Sequence, residues 1–206
     1  MKFEAFPKIR RIFKDSMIVT EKIDGTNAQI YIEGANEIGI EGLSPDDPAA
    51  IFQTKYALGF KDGNAIYAGS RNRWISTEDD NYGFANWVQA NADELFKLGP
   101  GRHFGEWWGK GIQRGYGLTE KRFSLFNTSR WGGNNSELRP NCCHVVPVLG
   151  CWQMDTGKIR EVLEELKKTG SHASPGFMDV EGIVVYHPAS NQLFKYTVDD
   201  NHKDSK

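Results

Sequence analysis

Short apolar stretches bounded by Gly, Pro, Asn and Asp recur along this chain, and they limit its fold more than any other feature. They fall at residues 16–23, 27–33, 64–70, 102–108, 122–127, 145–152, 182–187 and 192–198, and each reads as a β-strand. Helical spacing is confined to two windows. Residues 82–97 put Phe84, Trp87, Val88, Leu95 and Phe96 near one stripe. Residues 157–169 place Ile159, Val162, Leu163 and Leu166 at i, i+3, i+4 and i+7. Asp155 or Thr156 can cap that second helix, and Lys167 and Lys168 suit its negative C-terminal end before Gly170. Segment 171–181 reads as a loop. Many strands with few helices predict an α+β fold built on antiparallel sheets. No internal repeat, low-complexity tract or Pro/Gly/Ser linker divides the 206 residues, so a single domain is expected.

Hydrophobic residues make up 39% and charged residues 25%, a balance that supports a packed core rather than disorder. The formal net charge is only −2, so any affinity for nucleic acid must come from local patches. Lys2, Lys8, Arg10, Arg11 and Lys14 form one, and Lys110, Arg114, Lys121 and Arg122, between Arg102 and Arg130, form another. Glu33, Glu37, Glu41, Asp46 and Asp47 form an acidic stretch without a base. Each patch is either a solvated face or a binding surface. No apolar run approaches the roughly 20 residues that span a bilayer, and the basic N-terminus lacks a signal peptide's apolar core. No membrane association is expected. Cys142, Cys143 and Cys151 are odd in number and lack Cys-x-x-Cys spacing. They read as reduced intracellular thiols in preference to a metal site at Cys142, Cys143 and His144.

The stretch Thr20-Glu21-Lys22-Ile23-Asp24-Gly25-Thr26-Asn27 lies between apolar Met17-Ile18-Val19 and alternating Ala28-Gln29-Ile30-Tyr31-Ile32. It reads as strand, tight Asp-Gly turn, strand. A lysine ending the first strand is either a solvated edge residue or a buried nucleophile. Four further stretches bear on that choice. Ala68-Gly69-Ser70-Arg71 ends a strand in arginine, and Phe104-Gly105-Glu106-Trp107-Trp108-Gly109 carries a carboxylate in mid-strand. Phe123-Ser124-Leu125-Phe126-Asn127 is short and aromatic. Glu181-Gly182-Ile183-Val184-Val185-Tyr186 leads through a Pro-Ala-Ser-Asn turn to Leu193-Phe194-Lys195-Tyr196-Thr197. Taken singly, Phe126 and Trp107 suit a core, and Glu181 suits the start of a strand. Glu106, among aromatic residues, marks function, because burying an unpaired carboxylate is costly.

In this order the stretches resemble the motifs of the covalent nucleotidyltransferase superfamily, the ATP-dependent ligases and mRNA capping enzymes. Those motifs run Lys-x-Asp-Gly, Ser-Arg, Gly-Glu, Phe-Asp, Glu-Gly-hydrophobic and a final lysine-bearing strand. The wording around Lys22 and the Glu106-Trp107-Trp108 stretch are most similar to RNA ligases of the second bacteriophage type, and the resemblance spans residues 20–197. It implies an adenylyltransferase catalytic core that uses ATP with Mg²⁺ or Mn²⁺. Lys22 would attack the α-phosphate of ATP, release pyrophosphate and retain AMP as a phosphoramidate. AMP would pass to an RNA 5′-phosphate, and an RNA 3′-hydroxyl would then close the phosphodiester and expel it. An ordinary lysine is neutral in roughly one molecule in 2,500 at pH 7, so burial or nearby cations must assist. The resemblance supplies Lys195 and the divalent ion as those cations. It further implies that Glu21 contacts adenine through its backbone and that Asn27 holds metal-bound water. Arg71 would reach ribose or phosphate, Glu106 a ribose hydroxyl, Phe126 the adenine face. Glu181 would hold the metal through water, and Lys195 would pair with the α-phosphate. RNA repair in the cytoplasm follows as the setting, with a virus-encoded origin and a helper protein or end-healing enzyme as partner.

Two positions depart from the pattern. Thr197 stands where the family commonly has a second lysine two residues after the first, and Asn127 replaces the aspartate of Phe-Asp. Lys203 is a substitute cation for the first. The chain leaves no room after Thr197 for an OB-fold or an RNA-binding C-terminal domain, so a bare catalytic domain is expected. The loop Gly109–Gly117 fits neither the Rossmann nor the P-loop spacing; it reads as an exposed, mobile loop or as a source of phosphate contacts through Lys110 and Arg114. Three rivals remain at this point. One is a ligase of nicked DNA, and another a nucleotide- or RNA-end-binding module without turnover. The third is a glycoside hydrolase using Glu106 and Glu181, which leaves Lys22 and Lys195 without a task.

Overall fold

The computed structural model describes Ala5 and residues 15–34 and 47–199. The basic residues Lys2 to Lys14, the acidic Glu37, Glu41 and Asp46, and Lys203 lie outside that set. In chain order the elements are β1 (Ser16–Lys22), β2 (Thr26–Gly34), α1 (Pro48–Tyr56), β3 (Ala57–Lys61), β4 (Asn64–Ser70) and β5 (Trp74–Ile75). Then come α2 (Phe84–Ala90), α3 (Ala92–Leu95), β6 (Gly101–Gly109), β7 (Lys121–Leu125), α4 (Thr128–Trp131) and β8 (Cys143–Val145). The last are β9 (Val148–Gln153), α5 (Thr156–Thr169), β10 (Gly182–His187) and β11 (Gln192–Thr197). The expected α+β class with mainly antiparallel sheets is what forms. Among the described residues no helix is long and apolar enough to cross a membrane.

The chain divides into two compact units, one made of residues up to Ile23 and from Pro147 onward, the other of Asp24–Val146. The first holds a four-stranded antiparallel sheet in the order β11-β10-β1-β9. Strand alternation buries Met17, Val19 and Glu21 on one face of β1 and turns Ile18, Thr20 and Lys22 to the other. The covered face packs Met17, Val19, Ile183 and Val185 against Val162, Leu163 and Leu166 of α5. That helix starts where expected, with the Asp155 carboxylate accepting from the N–H groups of Gly157 and Lys158 at 2.7 and 3.2 Å.

The Asp24–Val146 unit holds the larger sheet, in the order β3-β4-β2-β6-β7-β8 with β5 paired to β4. All its pairings are antiparallel except β7 with β8. Its core joins Ala28, Ile30 and Ile32 of β2 to Phe84, Ala85 and Val88 of α2, with Trp107 and Phe123 between strands. Asp80 fastens the start of α2 by accepting from the N–H groups of Asn81, Ala85 and Asn86. Burial alone would raise its carboxyl, but these bonds outweigh that and hold it below the usual range.

Three expectations need correction. The strands flanking Asp24-Gly25 do not form a hairpin: β1 pairs with β9 and β10, whereas β2 pairs with β4 and β6. The turn therefore carries the chain from one sheet to the other. The strand expected over 145–152 breaks at Pro147, which has no N–H to give a ladder. The preceding Val146 N–H bonds to Leu125 O in the larger sheet, and Pro147 O accepts from Glu21 N in the smaller one. The helix expected over 82–97 is two short helices and a 3-10 turn, because Asn91 leaves helical dihedrals (φ −112°) and its side chain donates to Trp87 O at 2.8 Å. The elements α1, β3, β5 and α4 were not anticipated from the sequence.

Candidate active site

Two sets of the expected residues come together, one in each unit. In the smaller sheet Lys22 ends β1 opposite Gly182, so Glu181 lies one residue before its partner. The Lys22 amine sits 2.6 Å from Glu181 Oε1, with the two side chains 25% and 18% exposed. Lys22 is therefore neither buried away nor loose in solvent. Gly182 in turn pairs with Thr197, and the adjoining row runs Thr20, Val184, Lys195. Alternation places Lys22, Thr197 and exposed Lys195 on the same face, opposite the one that α5 covers. Thr197, the position where a second lysine was expected, thus stands in the Lys22 row. Gly182 between them carries no side chain.

Glu21 points the other way. Its carboxylate is 1% exposed and accepts from Ser171 Oγ at 2.5 Å and from the N–H groups of His172 and Ala173 at 2.8 and 2.9 Å. Its own N–H donates to Pro147 O at 2.9 Å. The side chain thus anchors the loop after α5, a role that sequence reasoning missed. The signal was present: Met17, Val19 and Glu21 share the inward phase of β1, so an inward carboxylate demanded donors.

In the larger unit Glu106, 7% exposed, binds the turn and the start of β2. Its Oε1 accepts from Gly25 N at 3.2 Å and its Oε2 from Asn27 Nδ2 at 2.9 Å, with Asn27 directly opposite in the β2–β6 register. Gly25 is required there for space, since a Cβ would lie 2.5 Å from Trp107 O and 2.7 Å from Trp108 Cβ. Asp24 closes the turn: its N–H donates to Tyr116 Oη at 2.8 Å and its carboxylate pairs with Arg114 Nε at 3.0 Å. Tyr116 is buried in the left-handed region (φ 51°), and Ile112 is buried as well. The Gly109–Gly117 loop is thus tied down by Arg114 and Tyr116 rather than exposed and mobile; Lys110 alone of its cations faces solvent.

Phe126 follows β7 with 41% of its surface exposed, and its N–H donates to Phe104 O at 3.0 Å. The neighbouring Asn127 spends its acceptor on α4, where Oδ1 takes the N–H of Arg130 at 3.0 Å and Ser129 Oγ at 2.9 Å. Arg71 is exposed in the turn after β4 and is not drawn into either set. Cys142, Cys143 and Cys151 are free thiols. A hydrogen bond between the first two lowers Cys142 and, with burial, raises Cys143. Among the described residues no group of three or more His, Cys, Asp or Glu is placed to hold a metal ion.

The fold is shared with solved RNA ligase structures from Naegleria gruberi. A mutant with AMP and Mn aligns at TM-score 0.58 and 16% identity, covering 94% of this chain and 52% of that one. Another mutant, with ATP and Mn, aligns at 0.55 and 15%, with coverage of 94% and 52%. The same ligase with PPi aligns at 0.53 and 15%, with coverage of 93% and 52%. At such identities the likeness establishes the fold, and the chain spans about half the length of the proteins it matches. No curated protein sequence matches it. A family model, that of RNA ligase, matches residues 15–197. The chain therefore belongs to the RNA ligase family.

Proposed function

We propose that this chain is an ATP-dependent RNA ligase that works through a lysyl-AMP intermediate on Lys22, with both units serving one adenylyltransferase domain. The observation that carries the reading is the Lys22–Glu181 pair at 2.6 Å on the open sheet face, with Lys195 on the same face two residues further along the strands. A lysine fixed by a carboxylate on an open sheet face suits a positioned nucleophile better than it suits a solvated strand end. The neutral Lys22 nitrogen bonds to the α-phosphorus, the α–β phosphoanhydride breaks with its electron pair going to the departing pyrophosphate, and the nitrogen's proton passes to solvent. Lys195 offsets charge on the α-phosphate. Glu106 meets a ribose hydroxyl, Phe126 stacks on adenine, Arg71 reaches ribose or phosphate, and the Glu21 backbone meets the base. The adenylate then passes to an RNA 5′-phosphate, and a 3′-hydroxyl displaces AMP. The Naegleria ligase complexes with ATP and Mn, with AMP and Mn and with PPi support ATP and a divalent ion as co-substrate and metal.

A divalent ion fits this set. Glu181 offers a hard oxygen, and Mg²⁺ is commonly held by one or two carboxylates with water and substrate phosphates rather than by an all-protein cage. Glu181 and Asn27 would hold Mg²⁺ or Mn²⁺ through water. When bound, the ion supplies positive charge against the triphosphate. With the ion bound, Glu181 would hold it in place of the Lys22 amine. RNA repair in the cytoplasm, alongside an end-healing partner, completes the proposal.

Mass spectrometry after incubation with ATP tests it. The expected result is one added adenylate on the wild type, removed by pyrophosphate and absent from Lys22→Ala. Retained labelling in that variant would exclude Lys22 as the nucleophile. Thr197 in the Lys22 row favours one second reading, a nucleotide- or RNA-end-binding module without turnover. ATP binding with no adduct at any metal concentration would select it.

A further inference from the structure

The face of the larger sheet that carries Asn27 and Glu106 continues along β2 and β6, and Phe126, whose N–H donates to Phe104 O, follows β7 level with Phe104. In the register Glu106 opposes Asn27, Phe104 opposes Gln29, and Arg102 opposes Tyr31, so each pair lies one two-residue step further on the same face. Phe104 is 53% exposed although its strand neighbours His103, Gly105 and Glu106 are buried. Packing gives no reason for so large an apolar ring to stand there. On the other side of Gln29 is Gly69, where a Cβ would come 2.9 Å from Gln29 Cγ, so the glutamine lies flat over bare backbone. Arg102 is fixed without being neutralised. Its Nη1 donates to Gln29 Oε1 at 2.9 Å, and its guanidinium carbon lies 4.3 Å from the Tyr31 ring centre and 5.2 Å from that of Trp74. Trp74 in turn rests against Tyr67 and Phe52. Among the described residues no carboxylate pairs with Arg102. Glu33, one step beyond Tyr31 on β2 and acting on the Tyr67 phenol, bounds the strip.

An open aromatic ring next to a preorganised guanidinium, about 6.8 Å apart along a strand, matches the alternation of base and phosphate in a single nucleic-acid strand. Any base can stack on the ring, and the planar fork of arginine suits phosphate oxygens. We propose that Phe104 and Arg102 form a subsite for the RNA strand beside the nucleotide site, with a base on Phe104 and a phosphodiester on Arg102. The inference rests on the ligase reading, and it assigns Phe104 to RNA rather than to ATP.

Separating the two half-reactions tests it. Self-adenylation is measured with labelled ATP and no RNA, and binding by anisotropy of a short labelled oligoribonucleotide over a salt series. Phe104→Ala and Phe104→Leu are expected to keep self-adenylation within about two-fold of wild type and to weaken oligoribonucleotide binding about ten-fold, whereas Phe104→Trp retains binding. Arg102→Gln is expected to weaken binding and flatten its log–log salt slope by about 0.7. Phe104→Leu keeps apolar bulk, so it reports on stacking even where Phe104→Ala fails to fold. Oligoribonucleotide binding equal to wild type in Phe104→Leu and Arg102→Gln overturns the proposal, as does a loss of self-adenylation that matches the loss of RNA binding. A wild type that binds oligoribonucleotide through these residues yet never adenylates overturns the ligase reading and leaves the strip standing.

Discussion

Each sheet holds one glutamate among the candidate residues, and the two are held by opposite means. Glu106 in the larger sheet is bound by neutral donors, the Gly25 N–H and the Asn27 amide, and is nearly buried. Glu181 in the smaller sheet meets a charged amine at 2.6 Å and keeps more contact with water. Neutral donors fixed in a turn and a strand cannot easily be exchanged for anything else, so Glu106 is part of the framework. An ion pair on an open face can trade its partner for another cation, which suits the metal role proposed for Glu181. Placement by hydrogen bonds and placement by charge thus distinguish the two carboxylates.

The comparison can be broken from either side. Glu106→Ala should have the largest effect on stability, since it strands two donors at a tight turn; a loss of about 3 kcal/mol is expected in urea unfolding. A loss under about 1 kcal/mol would mean that the turn does not depend on the carboxylate. Gly25→Ala comes next. Its new Cβ must displace the Trp107 carbonyl, for a cost of about 2 kcal/mol, and an unchanged unfolding midpoint would show that β6 yields there. Glu181→Gln should be the mildest of the three for the fold, below about 1 kcal/mol, because partly exposed ion pairs contribute little. The same variant is expected to lose the divalent-metal dependence of adenylation. A large drop in stability with an intact metal response would invert the assignment of the two glutamates.

The strand positions were legible because apolar alternation is a local signal, and most formed within a residue or two of where the sequence placed them. The partnership of Lys22 with Glu181 was legible only as motif order; nothing local joins residues so far apart in the chain. The failed hairpin shows the limit. An Asp-Gly between two strands is the usual short-range mark of pairing, yet here Gly25 is needed for its close approach to Trp107 and the strands diverge into separate sheets. The Asp24 contacts with Arg114 and Tyr116 span 90 and 92 positions, which no spacing rule reaches. The Pro147 break was open to view, since a proline inside an expected strand argues against a continuous ladder.

Glu21 and Lys22 are consecutive residues with opposite fates, and the first secures the second. Moving β1 by a single position against its neighbours would drive the amine into the helix-covered interior and leave the Ser171, His172 and Ala173 donors without their carboxylate. The carboxylate therefore acts as a frame-setting peg, fixing the side on which the neighbouring amine emerges. A side chain turned away from the open face thus decides on which face the Lys22 amine stands.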